Sequence, residues 1–159
     1  MSEQNGFDLE KTLRQFMSII KHGNELGLTL EEVTDDGILV RLPYSDKIVG
    51  NPITGVIHGG AITTLMDQSC GMAVAQALAP DLDITPTIDL RIDYMKPAVP
   101  KQDVFAYVTA YRTTRSVVFT KGIAFQDDRD NPIANCVANF MRLGMNHVSK
   151  AMMVDGGLS

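Results

Sequence analysis

The chain of 159 residues lacks several features that would point to particular classes of protein. It has no tryptophan and only 6% aromatic residues, so a platform of rings for stacking nucleic-acid bases is not expected. Its net charge of −5 argues against a protein that binds a phosphate backbone, because such a protein needs a basic face. We therefore expect no nucleic-acid partner.

Cysteine and uninterrupted hydrophobic sequence are also scarce. Cys70 and Cys136 are too few and too far apart for a disulfide framework or a zinc site, so we expect two buried free thiols. The first residues lack the basic and apolar regions of a secretory signal. The most apolar stretch, residues 61–79, contains Asp67 and other polar residues, which argues against a membrane span. A cytoplasmic protein is the simplest expectation.

Hydrophobic periodicity predicts one α+β domain over residues 1–159. A helix is expected at residues 8–22, and a longer one at about residues 61–79. The second helix is apolar on nearly every side, so we expect it to be buried on nearly every side. It would form the core around which a sheet wraps.

The rest of the chain has the pattern of strands and turns. A hairpin is predicted around the turn Asp35-Asp36-Gly37, and a loop with two glycines and a proline follows it. Strands of an antiparallel meander are expected in the second half of the chain, and the weakly patterned residues 144–159 form a tail. The loop spans residues 44–57, and the strands span 87–95, 104–112, 117–126 and 133–143.

Asp67 is the one charged residue between Ile57 and Pro80. A carboxylate within an apolar helix is unfavourable unless it is paired or hydrogen-bonded. Such carboxylates are candidates for general bases or nucleophiles, because their surroundings tune their protonation. The alternative is a structural aspartate satisfied by a backbone amide or an arginine, and the residues alone leave both interpretations open.

The tripeptide His58-Gly59-Gly60 directly precedes the long helix. Glycine allows close approach to the backbone, and the first N–H groups of a helix have no partner within it. They also lie at the positive end of the helix dipole, which suits a developing oxyanion. Alternatively, the glycines only permit close packing and His58 only holds the loop through a hydrogen bond.

The distance between these two features constrains how they act together. Gly59 and Asp67 are eight residues apart, which is about 12 Å along a helix. One reacting carbon cannot contact both groups of the same helix. Either they serve different sites, or one chain supplies the donor and another the carboxylate, which predicts a dimer with two-fold-related sites.

Two segments resemble the signature of hot-dog-fold acyl-CoA thioesterases of the phenylacetic-acid-degradation type. The first is residues 55–61, GVIHGGA, followed by Leu65 and Asp67. The second is the strand from Thr87, which ends in a Tyr-x-x-Pro-Ala turn at residues 94–98. The resemblance covers about residues 35–143.

The resemblance implies a hot-dog fold whose homodimers pair their sheets edge to edge, often as dimers of dimers. It implies active sites between subunits that hydrolyse acyl-CoA, with no metal or cofactor, since coenzyme A is part of the substrate. Asp67 would be the general base or the nucleophile, and the Gly59 N–H would hold the thioester carbonyl. His58 would orient the loop, and Thr87 would help to hold the attacking water.

The chain departs from the family pattern at two places that concern substrate contacts. The family often has an asparagine where this chain has Pro52, with Asn51 one position earlier, and the turn after Arg112 lacks the usual glycine. Arginines at this turn suit the phosphates of coenzyme A, and the alternative is that they are solvated charges at the end of a hairpin. Met66 and Met72 are candidates for the lining of an acyl tunnel, and the alternative is the commoner role of methionine in filling gaps in the core. The expected contacts are Asn51, Gly60, Met66, Arg112, Arg115 and Ser116.

Two other functions remain open at this stage. One is a non-catalytic hot-dog domain that binds acyl-CoA, and the other is a hot-dog hydratase or dehydratase acting on enoyl thioesters. The acyl group is also open, with phenylacetyl, hydroxyphenylacetyl, benzoyl and medium-chain groups all possible.

Overall fold

The computed structural model describes residues 7–144, in which an antiparallel sheet curves around a long helix. The helices are α1 Leu9–Ile19, α2 Lys21–Glu25 and α3 Gly59–Leu78. The strands are β1 Thr29–Val33, β2 Ile38–Leu42, β3 Val49–Asn51, β4 Val56–Ile57, β5 Thr87–Tyr94, β6 Val104–Thr113, β7 Val117–Phe125 and β8 Ala134–Met141. The predicted hot-dog architecture is confirmed. Most of the predicted tail lies outside the described residues.

The N-terminal segment forms two helices where one was predicted over residues 8–22. The Asp8 side chain caps α1 by accepting a hydrogen bond from the Lys11 amide. Ile20 then adopts an extended conformation, with φ −83° and ψ 95°, and separates α1 from α2. This break lets Gly23 of α2 lie directly against the Gln68 side chain of α3, where a side chain on Gly23 would collide.

The large sheet has the strand order β1-β2-β6-β7-β8-β5. The hairpin β1–β2 and the meander β6–β7–β8 agree with the sequence prediction. Strand β5 differs, because it pairs with β8 at the edge of the sheet rather than with β6, which follows it in the chain. Pro97 and Pro100 after β5 lack amide donors and prevent the tight hairpin that would place β5 beside β6.

Helix α3 packs on the concave face of the sheet, where its apolar side chains form the core. Leu65, Met66 and Met72 are fully buried there. Cys70 and Cys136 are buried free thiols, as predicted, with their sulfur atoms 3.9 Å apart. Within residues 7–144, no helix is both long enough and apolar enough to cross a membrane.

One face of α3 is not covered by the sheet, so the prediction of burial on nearly every side is wrong there. The residues of this face are only partly buried or exposed, and we call it the open face of α3. They recur every three or four residues, a helical periodicity that is visible in the sequence. The open face consists of Gly60, Thr63, Thr64, Asp67, Gln68 and Gly71.

The segment at residues 44–57 was predicted to be a loop and is more regular than that. It contains a short 3-10 helix, Asp46–Ile48, and the two-stranded hairpin of β3 and β4. Tyr44 holds this segment at both ends, since its hydroxyl donates to the Gly55 carbonyl oxygen at 2.9 Å and its amide donates to Asp103 at 2.7 Å. The segment therefore delivers the chain to His58 in a defined orientation.

Candidate active site

Asp67 lies on the open face of α3, next to the first residue of β5. The Thr87 hydroxyl donates a hydrogen bond to the Asp67 carboxylate, with an Oγ1–Oδ1 distance of 2.8 Å. Asp67 is partly exposed rather than buried, so the expected environment is corrected in this respect. Its carboxylate is oriented by Thr87 and remains accessible to a ligand, which a deeply buried structural aspartate would not be.

A β-bulge turns Thr87 towards the helix. The alternation of β5 places Asp89 on the outer face of the sheet, and an unbroken strand would put Thr87 on that face as well. The register instead shifts between Thr87 and Asp89, so that Thr87 lies opposite Phe140, which faces the core. Ile88 is the extra residue, and its side chain is 51% exposed. Bulges of this kind commonly redirect side chains beside functional sites.

Asp67 and Thr87 line a cavity of about 390 Å³. Its walls come from the open face of α3, the N-terminal helices, the loop before β5 and the end of β8. The apolar part of the lining comprises Phe16, Ile20, Gly71, Ile84, Pro86 and Phe140. The polar part comprises His22, Thr64, Asp67, Gln68, Asp83, Thr85 and Thr87. The carboxylate therefore borders a half-open cavity that has apolar walls beyond it.

His58 caps the N-terminus of α3, which begins two residues earlier than predicted. Its Nδ1 atom accepts a hydrogen bond from the Gly60 amide at 2.8 Å, and its carbonyl oxygen accepts one from the Ala61 amide at 2.9 Å. The Gly60 amide is therefore occupied by His58 and is not free for a substrate. Among residues 7–144, no hydrogen bond from the Gly59 N–H is found, which leaves this donor for an external acceptor.

Tyr94, which the sequence analysis did not assign to the site, positions this end of the helix. Its hydroxyl donates to the Gly59 carbonyl oxygen at 2.6 Å and lies 2.8 Å from the Thr63 hydroxyl. A Cβ atom at Gly59 would lie 3.4 Å from the Tyr94 hydroxyl oxygen. The alternation of β5 was the available signal, because it places Tyr94 on the side of the sheet that faces α3.

His22 is a second residue that the sequence analysis did not connect to the site. It lies on α2, and its Nε2 atom is 3.3 Å from the Thr64 hydroxyl on the open face of α3. Both residues line the same cavity as Asp67. No local sequence motif marks His22, since its position depends on the break between α1 and α2.

Two of the predicted substrate contacts have a structural position instead. Met66 is fully buried between α3 and β7, where its methyl group lies close to Gly122, and it is not part of the lining of the cavity that contains Asp67. Met66 and Asp67 are consecutive on the helix and therefore point about 100° apart. Asn51 lies in the β3–β4 turn, where its side-chain oxygen accepts hydrogen bonds from the Ile53 and Thr54 amides at 3.0 and 3.3 Å.

The remaining predicted contacts, Arg112, Arg115 and Ser116, are exposed around the β6–β7 turn. This turn lies at the same end of the sheet as the cavity. The Ser116 carbonyl oxygen accepts from the Arg142 amide, and the neighbouring Leu143 amide donates to Ile84, a residue of the cavity wall. The structure thus brings the turn near the cavity that contains Asp67 and Thr87.

Asp103 anchors the segment that leads to His58. The hydrogen bond from the Tyr44 amide, together with the neighbouring Arg41 guanidinium, lowers the pKa of Asp103. The carboxylate is therefore ionised at neutral pH and holds both partners. This contact stabilises the approach to the active site rather than taking part in it.

Comparisons with known proteins agree with this architecture. The model of the Thioesterase superfamily matches residues 54–133, which include His58, Asp67 and Thr87. A Halobacterium salinarum protein named as a candidate esterase is 33% identical over 117 residues, covering 70% of this chain and 76% of that protein.

Solved structures show the same fold. A Pseudomonas aeruginosa protein is 51% identical, with a TM-score of 0.78, over 86% of this chain and 100% of that chain. A mutant of the phenylacetic acid degradation protein PaaI from Thermus thermophilus is 18% identical, with a TM-score of 0.66, over 77% of this chain and 99% of that chain. From its fold and its family match, the chain belongs to the thioesterase superfamily of hot-dog proteins, which supports the hydrolysis of thioesters as its general activity.

Proposed function

We propose that this protein hydrolyses acyl-CoA thioesters at sites shared between the two subunits of a homodimer. The observation that carries the proposal is the Asp67 carboxylate, oriented by Thr87 at 2.8 Å and facing a cavity with apolar walls. A carboxylate in this position serves as a general base for water or as a nucleophile. The apolar walls suit an acyl group and limit competing water.

In the hydrolysis, the oxygen of a water molecule attacks the thioester carbonyl carbon while Asp67 accepts the proton. The carbonyl oxygen becomes an oxyanion, and the Gly59 N–H at the start of α3 stabilises it. The tetrahedral intermediate then collapses, the C–S bond breaks, and the CoA thiolate leaves. If Asp67 attacks directly, an anhydride forms first and water hydrolyses it in a second step.

A dimer reconciles this chemistry with the length of the helix. Gly59 and Asp67 lie on the continuous helix α3, about 12 Å apart by helical rise, so they serve one carbonyl only from different subunits. Strand β5 offers the surface for pairing, because it is an edge strand of eight residues whose one partner strand within the described part of the chain is β8. Its inward-facing Tyr94 is 49% exposed. Antiparallel pairing of two β5 strands would satisfy this edge and join the sheets.

The arginines of the β6–β7 turn supply the contacts expected for coenzyme A. Arg112 and Arg115 are exposed near the cavity, and a guanidinium group binds phosphate oxygens through two parallel hydrogen bonds. The protein is acidic overall, so these local positive charges rather than the net charge would attract the nucleotide end of the substrate.

Release of free CoA thiol, followed with a thiol-reactive chromophore, tests the proposed activity. Aryl-acetyl, benzoyl and fatty acyl-CoA esters are compared with wild type and with Asp67→Asn, which keeps an oxygen to accept the Thr87 hydrogen bond but removes the base. We expect a loss of about 10²–10⁴-fold in kcat. Saturable binding of the esters without thiol release from the wild type would instead identify a binding module.

The oxyanion donor is tested separately with Gly59→Pro, which removes the N–H itself. Proline is well tolerated at the first position of a helix, and the extended conformation of His58 suits a residue that precedes proline. Gly59→Ala is the matched control, because it adds a carbon atom and retains the N–H. We expect a loss of about 10²–10³-fold in kcat for Gly59→Pro beyond that of Gly59→Ala. Equal activities of the two variants would exclude the Gly59 N–H as the donor.

A further inference from the structure

The cavity continues along α3 beyond the catalytic carboxylate. Gly71 follows Asp67 by four residues on the open face, which is about 6 Å further along the helix. It lines the same cavity as Asp67, between Phe140 of β8 and the apolar side chains of the N-terminal helices. The cavity therefore has a distal part whose floor is a residue without a side chain.

Glycine at this position is unfavourable for the helix itself. Gly71 lies in the interior of a helix of twenty residues, where glycine is less favourable than alanine. Packing among residues 7–144 does not require it, because the only one of them that a Cβ atom there would meet is Phe140, at an ordinary contact distance of 3.7 Å. Gly23 and Gly122 differ in this respect, since a Cβ atom at either would collide with its neighbours. The absence of a side chain at Gly71 therefore leaves space in the cavity and not in the hydrophobic core.

We propose that Gly71 sets the depth of the acyl pocket and so determines which acyl groups are hydrolysed; this inference rests on the proposed thioesterase function. The preferred substrates carry an uncharged, apolar acyl group that reaches at least one helical turn past the reacting carbonyl. Medium-chain and aryl-acetyl groups meet this description, whereas acetyl leaves the distal part empty.

The charges around the cavity exclude a second class of acyl group. Asp67 and Asp83 both line it. The Asp83 side chain is only 4% exposed and is paired with Arg142 at an Oδ2–Nε distance of 3.5 Å, whereas Asp67 has no ion-pair partner among the described residues. No lysine or arginine of the described chain belongs to the lining. A dicarboxylic acyl group such as malonyl or succinyl would place its free carboxylate in the same cavity as the Asp67 carboxylate, while the nearby Arg142 is already engaged by Asp83. We expect such esters to be poor substrates.

The experiment measures kcat/KM for straight-chain acyl-CoA esters from acetyl to dodecanoyl, with phenylacetyl-CoA and succinyl-CoA added. Wild type is compared with Gly71→Ala and Gly71→Leu, and with Ala77→Leu on the exposed side of the same helix as the control. Gly71→Ala should raise Tm by roughly 2 °C, because it removes a helix-interior glycine without a clash. It therefore keeps the test valid if Gly71→Leu folds poorly.

The proposal predicts that the optimum moves to shorter acyl groups in Gly71→Ala and further in Gly71→Leu. Each methylene that no longer fits should reduce kcat/KM by about tenfold or more, while the shortest esters and Ala77→Leu are unaffected. An unchanged profile in active Gly71 variants would overturn the role of Gly71 but leave the thioesterase function standing. A rise in KM of the Gly71 variants that is equal for all esters would have the same consequence, because it would indicate that the CoA arm, and not the acyl group, occupies the cavity. No thiol release by wild type with any ester would overturn both.

Discussion

The hydrogen bond between Thr87 and Asp67 gives a prediction that links the sheet to the chemistry. Thr87→Val replaces the hydroxyl with a methyl group of similar size and removes the 2.8 Å bond to the carboxylate. A hydrogen bond to a charged group contributes about 1.5–3 kcal/mol. Asp67 is partly exposed, so water compensates in part and the lower end of this range applies. We therefore expect kcat to fall about tenfold, since 1.4 kcal/mol corresponds to a factor of ten.

Thr87→Ser is the matched control, because it keeps the hydroxyl and loses only a methyl group. Thiol release measures kcat for both variants, and thermal unfolding checks that each remains folded, with a shift in Tm of no more than about 2–4 °C. The reasoning would be refuted if Thr87→Val retained wild-type kcat. It would be refuted equally if Thr87→Ser lost as much activity as Thr87→Val, since the hydroxyl would then not be the group that matters.

Three further predictions concern the structure that supports the site. His58→Ala removes the cap of α3 and should lower Tm by about 2–4 °C, which corresponds to about 1 kcal/mol. His58→Asn keeps a capping side chain and should retain most of the stability. A Tm of His58→Ala equal to that of the wild type would exclude the capping role of His58. Gly122→Ala should lower the free energy of unfolding, measured with urea, by about 1–3 kcal/mol. The added Cβ atom would collide with Val108 and lie 2.9 Å from the Tyr107 carbonyl oxygen. An unchanged urea midpoint would contradict this packing. The pKa of Asp103 is lowered in the folded protein, so its contribution is complete above the unfolded value of about 3.9 and is lost as pH falls through the folded value. Asp103→Asn should therefore reduce Tm at pH 7, and the difference from wild type should diminish below about pH 4; a difference independent of pH would contradict this.

Local signals in the sequence were sufficient for the main elements of the fold. The helical pattern of α3 and the alternation of β5 depend on neighbouring residues, and both elements were predicted within two residues of their ends. His58 was also predictable as a residue that holds the loop, because capping involves residues only two positions away. The pairing of β5 with β8 was not predictable in this way, since the residues that it joins are at least forty positions apart in the chain.

The candidate site shows the same division between local and distant contacts. Asp67 and Gly59 stand out by residue type and position on one helix. The position of Thr87 depends on a bulge that reverses the face predicted by simple alternation. Met66 was assigned to the acyl site from its residue type, but the phase of the helix places it in the core. The roles of Tyr94 and His22 arise only when β5 and α2 pack on α3.

Subunit complementation between Asp67→Asn and Gly59→Pro tests the shared active site most directly. Each variant alone should have little activity, because both of its sites lack one group. After the two are unfolded together and refolded in equal amounts, half of the dimers contain one chain of each kind. One of the two sites in each mixed dimer then has the intact Gly59 N–H of one subunit and the intact Asp67 of the other. We expect recovery of about one quarter of the wild-type thiol release. Activity of the mixture no greater than that of the separate variants, with mixed dimers shown to be present, would contradict a site shared between subunits.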